Sequence, residues 1–148
     1  MKRFKILFVE DEGNIFNMIE DAVGKEQYEF VRARTVAEAI DKYRCEQSVE
    51  NPFDCYVVDL QIDPLGLTEQ EMTDFFKFEG YAWLKKYVFK LMSVKEKQNF
   101  KKKTIICSKY VKEFQSKYFP EEIDGFTIVN KEPHFETEIQ NLIRQICN

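Results

Sequence analysis

Short apolar runs alternate along this chain with stretches whose apolar residues recur at helical spacing. The first run, Phe4 to Val9, reads as a strand, and Ile15, Ile19 and Val23 then mark one face of a helix. The second strand is expected at Tyr28 to Ala33. Thr35 is placed to cap a helix carrying Val36, Ala39, Ile40 and Tyr43 on one side. Strands are expected again at Asp54 to Val58, at Thr104 to Cys107 and at Phe126 to Val129. Val111, Phe114 and Tyr118 share a helix face between the last two. Phe135, Ile139, Leu142, Ile143 and Ile146 form the clearest amphipathic stripe, at the end of the chain.

Strands 1, 3 and 4 contain unbroken apolar runs, ILFV, YVV and TIIC. A strand that is apolar on both sides is covered on both faces, as in a parallel sheet. Strand alternating with helix predicts right-handed crossovers and a doubly wound α/β sheet of five parallel strands. The third crossover is irregular. Thr68 and Glu71 have the spacing of a capping box, Met72, Phe75 and Phe76 follow on one face, and Gly80 is placed to stop that short helix. A longer helix is expected over Tyr81 to Met92, then a polar, loose loop from Ser93 to Lys103. No internal repeat or low-complexity tract interrupts the pattern.

Composition narrows the function classes. The 148 residues are expected to form one domain, 1–148, with an ordinary globular balance of 44% apolar and 32% charged residues. The net charge of −4 carries no overall basic footprint for nucleic acid, and Lys101 to Lys103 read as a solvated run. Cys45, Cys55, Cys107 and Cys147 share no metal-ligand spacing; Cys55 and Cys107 lie in apolar runs, as buried free thiols do. The apolar run after the N-terminal basic residues is too short for a signal peptide, and no stretch approaches a membrane span. A cytoplasmic location without membrane contact is expected.

The chemistry gathers at strand ends. Glu10 and Asp11 follow strand 1, Asp59 follows strand 3, Ser108 follows strand 4, and Lys131 follows strand 5 after Asn130. In the flavodoxin-like order 2-1-3-4-5 these positions share the carboxyl edge, and strands 1 and 3 flank the crevice where ligands bind. Clustered carboxylates are tolerable when a cation shares them. Hard oxygen donors without His or Cys favour Mg²⁺. A carboxylate can also attack phosphorus, with the developing charge neutralised by metal and lysine and oriented by a hydroxyl.

These residues, in the segments KILFVEDE, CYVVDL, TIICS and TIVNK, resemble the receiver domain of two-component response regulators, and the resemblance spans about Phe4 to Ile146. It implies that Asp59 accepts a phosphoryl group from a sensor histidine kinase or histidine phosphotransfer protein. It implies that Asp11 and Asp59 ligate Mg²⁺, helped by Glu10 through water and by the Gln61 backbone carbonyl. It implies that Ser108 and Lys131 contact the phosphoryl group and transmit its arrival. Output would be contact with an unknown protein, through the last two helices and strand 5, a face that could also serve a homodimer.

The pattern also departs from the family. The Pro and Gly that follow the phosphoacceptor are represented by Pro64 and Gly80, separated by an insertion of about 65–79. Lys109 stands where a small residue usually follows the Ser/Thr. Glu132 interrupts the usual Lys-Pro pair before Pro133, and Ile128 replaces the strand-5 aromatic. The insertion, with Phe75 and Phe76, would either lid the pocket or face a partner. These departures keep open a receiver-like interaction module that works without phosphorylation. A Mg²⁺-dependent phosphatase is disfavoured because Gln61 stands where such enzymes place a second acid. Taken singly, the residues have plainer readings: Asp59 as a turn, Ser108 as an N-cap, Lys131 as a solvated loop lysine, His134 as a surface residue, and Trp83, Phe75, Phe76 and Phe78 as packing.

Overall fold

The computed structural model describes residues 3–47 and 53–148. Five parallel strands lie in the order β2-β1-β3-β4-β5, as expected. They are β1 (Phe4–Val9), β2 (Tyr28–Ala33), β3 (Cys55–Val58), β4 (Thr104–Ser108) and β5 (Thr127–Asn130). The pairings of β1 with β2 and β3, then β3 with β4 and β4 with β5, are all parallel.

Side chains alternate across the sheet, so each run supplies two cores. Ile6 and Phe8 of β1, Cys55 and Val57 of β3, and Ile105 and Cys107 of β4 face one layer. That layer holds α1 (Gly13–Val23), through Phe16, Ile19 and Val23, and α8 (Phe135–Cys147), through Phe135, Ile139 and Ile143. Leu7, Val9, Tyr56, Val58 and Ile106 face the other layer. It is built from α2 (Val36–Gln47), the insertion, α4 (Glu79–Trp83), α5 (Val94–Lys102) and α6 (Val111–Lys117). Cys55 and Cys107 are buried free thiols, as their apolar setting implies.

Three expectations for the long crossover need correction. The capping box at Thr68 is present, but the helix it opens, α3 (Glu69–Asp74), stops well before Gly80. Gly80 instead lies inside α4, its amide donating to the Leu60 carbonyl at 2.8 Å. The helix expected to reach Met92 passes from α4 into a π-helical turn over Leu84–Val88 and ends at Phe89. The expected loose loop is α5. Ser93 and Glu96 form a second capping box, and Phe100 anchors the helix in the core. Lys101 is accordingly not solvated: its Nζ donates to the carbonyls of Glu122 at 2.9 Å and Asp124 at 3.2 Å, closing the short α7 (Pro120–Ile123).

Thr35 caps α2 as expected, its Oγ1 accepting from the Glu38 amide at 3.0 Å. The insertion caps the same helix. The Val36 amide donates to the Asp63 carbonyl at 3.1 Å and the Ala37 amide to the Leu65 carbonyl at 2.7 Å. These amides belong to the first helical turn, where no intrahelical partner exists. Lys117 Nζ donates to the Asp74 carbonyl at 3.0 Å and Tyr87 Oη to Glu71 Oε1 at 3.0 Å, so the insertion is tied at both ends.

Candidate functional site

The carboxyl edge gathers Glu10, Asp11, Asp59, Ser108 and Lys131 as the strand order predicts. Each is placed by an adjoining strand end. The Glu10 amide donates to Ala33 on β2, the Asp59 amide to Val9 on β1, and the Lys131 amide to Ser108 on β4. Lys131 is no solvated loop lysine. Its side chain is 4% exposed, and Nζ donates to Glu10 Oε1 at 2.6 Å and to Asp59 Oδ2 at 2.9 Å. A ligand oxygen from each of Glu10, Asp11 and Asp59 lies within 4.8 Å of the others.

One lysine among three carboxylates leaves the cluster short of positive charge. Burial, then the neighbouring Asp59 charge, pushes the Glu10 carboxyl up to about 9 against the pull of Lys131. Burial and Asp59 also raise Asp11. Lys131 is held above its ordinary range: burial pulls it down, but Asp59 and Glu10 outweigh that. Without a further cation the site therefore tends to keep a proton on Glu10. Glu10 Oε2 is buried with no hydrogen-bond partner. That orphan oxygen, in an all-oxygen donor set, fits a hard divalent cation held by Glu10, Asp11 and Asp59.

Above the cluster opens a cavity of about 640 Å³. Asp11, Asp59, Ser108 and Lys131 line its floor. The Gln61 amide donates to Asp59 Oδ1 at 3.4 Å, which sets Gln61 beside the carboxylate. Ser108 is not the N-cap of α6, which is Tyr110 without a side-chain cap; its Oγ accepts from the Tyr110 amide at 3.1 Å in a turn ahead of the helix, and the hydroxyl keeps a proton to donate. Lys109 is exposed on the wall.

The insertion supplies another wall, and here the two phenylalanines part. Phe76 is 66% exposed and lines the cavity with Met72. Phe75 is 6% exposed, turned into the core against Tyr81, and is neither lid nor partner surface. Trp83 and Phe78 are core residues, and His134 is a surface residue at the head of α8. Ile128 is half-buried against the α4–α6 core.

Sequence reasoning missed Glu79. It lines the cavity yet is 6% exposed, and burial raises its carboxyl. Its Oε2 accepts from the Lys77 amide at 2.9 Å, where Lys77 adopts a left-handed backbone at φ 72°. An acid directly before the glycine that abuts Asp59 was the available signal.

The site's surroundings match known folds. A response regulator receiver domain protein (CheY-like) from Methanospirillum hungatei JF-1 superposes with a TM-score of 0.63 at 19% identity, covering 98% of this chain and 94% of that one. The chain has the fold of receiver domains. The receiver-fold response regulator TrrA from Thermotoga maritima, in complex with Mg²⁺–BeF, gives 0.61 at 22% identity over 99% of both chains. A sensor protein from Polaromonas sp. JS666 gives 0.66 at 12% identity over 98% of this chain and 96% of that one. No family model and no curated protein matches the sequence. No helix among the described residues is long and apolar enough to cross a membrane.

Proposed function

We propose that the chain is a cytoplasmic phosphoacceptor that takes a phosphoryl group onto Asp59 from the phosphohistidine of a sensor histidine kinase or a histidine phosphotransfer protein. The observation that carries this reading is Lys131 Nζ, buried between Glu10 and Asp59 on the floor of an open cavity. A buried lysine bridging two carboxylates at a ligand-accessible strand edge is poorly explained as a stability device, because such pairs contribute little net stability.

An Asp59 carboxylate oxygen attacks phosphorus, the phosphorus–nitrogen bond to the donor ring breaks, and the ring, protonated beforehand on its other nitrogen, takes the bonding pair and leaves as neutral imidazole. Lys131 already lies beside Asp59 and can turn its charge toward an incoming phosphoryl oxygen. The Ser108 hydroxyl donates to another. Glu10, Asp11, Asp59 and the Gln61 carbonyl would hold Mg²⁺, which supplies charge neutralisation for the transferred group. The chain would not turn over phosphoesters, since Gln61 offers no acid for a second proton transfer. The arriving charge would draw Ser108 and Lys131 together and so reach the face of β5, α6 and α8, where an output protein or a second copy would bind.

A second reading is a receiver-fold interaction module that works unphosphorylated. Lys109 and Phe76 on the cavity walls favour it, since both narrow the donor's approach. A phosphate-affinity gel after acetyl phosphate and Mg²⁺ separates the readings. Wild type shifts and Asp59→Asn does not under the first. No shift from any donor, with Mg²⁺ still bound, leaves the second. Sustained phosphoester hydrolysis would replace both with a phosphatase.

A further inference from the structure

The charge of this protein is unevenly spread. Between residues 85 and 103 lie eight lysines and one acid, Glu96, although the whole chain carries −4. They lie in the π-helical turn Leu84–Val88, in the turn after it, and in α5 and its C-terminal cap. Lys85 pairs with Glu122 at 2.7 Å, and Lys101 is held by backbone carbonyls. Lys86, Lys90, Lys95 and Lys97 form no salt bridge among the described residues, although Glu71 and Glu96 share clefts with Lys86 and Lys90, and Glu121 and Glu122 share one with Lys90 and Lys97. Shallow clefts of about 400 and 460 Å³ meet at Lys90, one reaching Lys97 and the other Lys86 and Leu91.

An apolar tip stands among these cations. Leu91 is 93% exposed and Val94 is 72% exposed, flanked in sequence by Lys90 and Lys95. Lone exposed apolar residues are ordinary, but a projecting leucine inside an unpaired lysine collar is a specific arrangement. Lysine stems lie along an apolar boundary while their ammonium groups reach anionic headgroups, and an apolar tip enters the headgroup region. Base-reading nucleic-acid sites add arginine forks and exposed aromatic faces to such cations, and here Phe89 is buried.

We propose that this face docks on an anionic lipid surface, with Leu91 and Val94 entering the headgroup region inside a collar of Lys86, Lys90, Lys95 and Lys97. The absence of a spanning helix does not bear on such peripheral contact. The orientation leaves the site free. The α4 helix starts beside Leu60 at the carboxyl edge and runs away from it, and α5 ends where the Lys103 carbonyl accepts the Tyr56 amide at the amino edge. None of Lys86, Lys90, Lys95 and Lys97 lines the Asp59 cavity, so contact through them leaves its mouth free. This proposal stands whether or not Asp59 is phosphorylated.

Co-sedimentation of the full chain with phosphatidylcholine vesicles, with and without phosphatidylglycerol, tests it. The chain should pellet with the acidic vesicles alone, and added salt should release it. Lys86→Glu with Lys90→Glu should lower the partition about tenfold or more, since each lysine near an anionic surface contributes roughly a fivefold factor. Leu91→Ser should lower it severalfold with the salt dependence retained. All these positions are exposed, and far-UV circular dichroism checks that the variants stay folded. No binding to acidic vesicles at low salt would overturn the proposal. So would capture by polyglutamate or by DNA without vesicle binding, which would assign the face to an acidic protein or to nucleic acid. An unchanged partition for Leu91→Ser would overturn the apolar insertion.

Discussion

A side-chain carbon built on Gly80 would lie 1.9 Å from the carbonyl oxygen of Asp59. The second residue of α4 is thus glycine for lack of space, and the close approach holds the loop after β3 against the helix. Neither backbone can move cheaply, because the Gly80 amide already donates to Leu60 at 2.8 Å. Gly80→Ala should cost about 2–4 kcal/mol in urea denaturation, as overpacking against a fixed backbone does. It should also displace Asp59 and weaken Mg²⁺ binding by calorimetry. An alanine variant with wild-type stability would show that the loop is free to relax.

Lys131→Met removes the cation that Glu10 and Asp59 share while keeping much of the aliphatic volume. Stripping one partner from a buried ion pair costs about 3–5 kcal/mol. The metal-free variant should be destabilised to that extent, and Mg²⁺ should recover more stability in it than in wild type, because the metal then replaces the missing charge. Thermal melts across a Mg²⁺ titration measure both effects. Equal Mg²⁺ gains in the two proteins would mean that lysine and metal do not share the same carboxylates.

The folded state holds the Glu10 carboxyl up to about 9, mainly by burial, against an ordinary value of 4.5. Between those values the folded protein binds a proton that the unfolded chain has released, so stability falls as pH rises across that window. Asp11 is raised as well and acts in the same direction. Lys131 is raised from an already high value and loses its stabilising effect only above that window. In EDTA, urea midpoints should decline from pH 5 to pH 9, and Glu10→Gln should flatten most of the decline. A flat wild-type profile would mean that Glu10 is ionised throughout.

The sheet was legible because β1, β3 and β4 are apolar on both faces, a pattern that burial by helices on two sides enforces. The site was legible because strand order converts positions distant in sequence into one edge, bringing Lys131 to Glu10 across 121 residues. The long crossover was harder. The α5 helix buries only Phe100 and Lys101, so it has almost no apolar period, and its one sequence signal was the Ser93–Glu96 capping box. Gly80 carries the same letter whether it ends a helix or lets one approach a strand end, and only the neighbouring Asp59 carbonyl decides between them. Phe75 and Phe76 are adjacent and alike in chemistry, and the tertiary contact with Tyr81 is what separates core from surface.

That separation tests what the insertion does. Phe75→Ala should cost about 3–5 kcal/mol as a buried aromatic truncation, whereas Phe76→Ala should stay within about 0.5 kcal/mol of wild type. Met72 and Phe76 nevertheless wall the Asp59 cavity, and the hydrogen bonds to α2 and from Lys117 hold that wall in place. If the wall excludes water from an aspartyl phosphate, the double substitution Met72→Ser with Phe76→Ser should shorten the lifetime of the phosphorylated protein severalfold without changing its stability. Removing residues 65–79 should shorten it further, although that deletion also uncaps α2 and calls for a parallel stability measurement. Phosphate release timed after removal of the donor gives the lifetime. An unchanged lifetime in the double variant would sink the shielding role and leave the exposed Phe76 as a contact for whichever protein approaches the cavity.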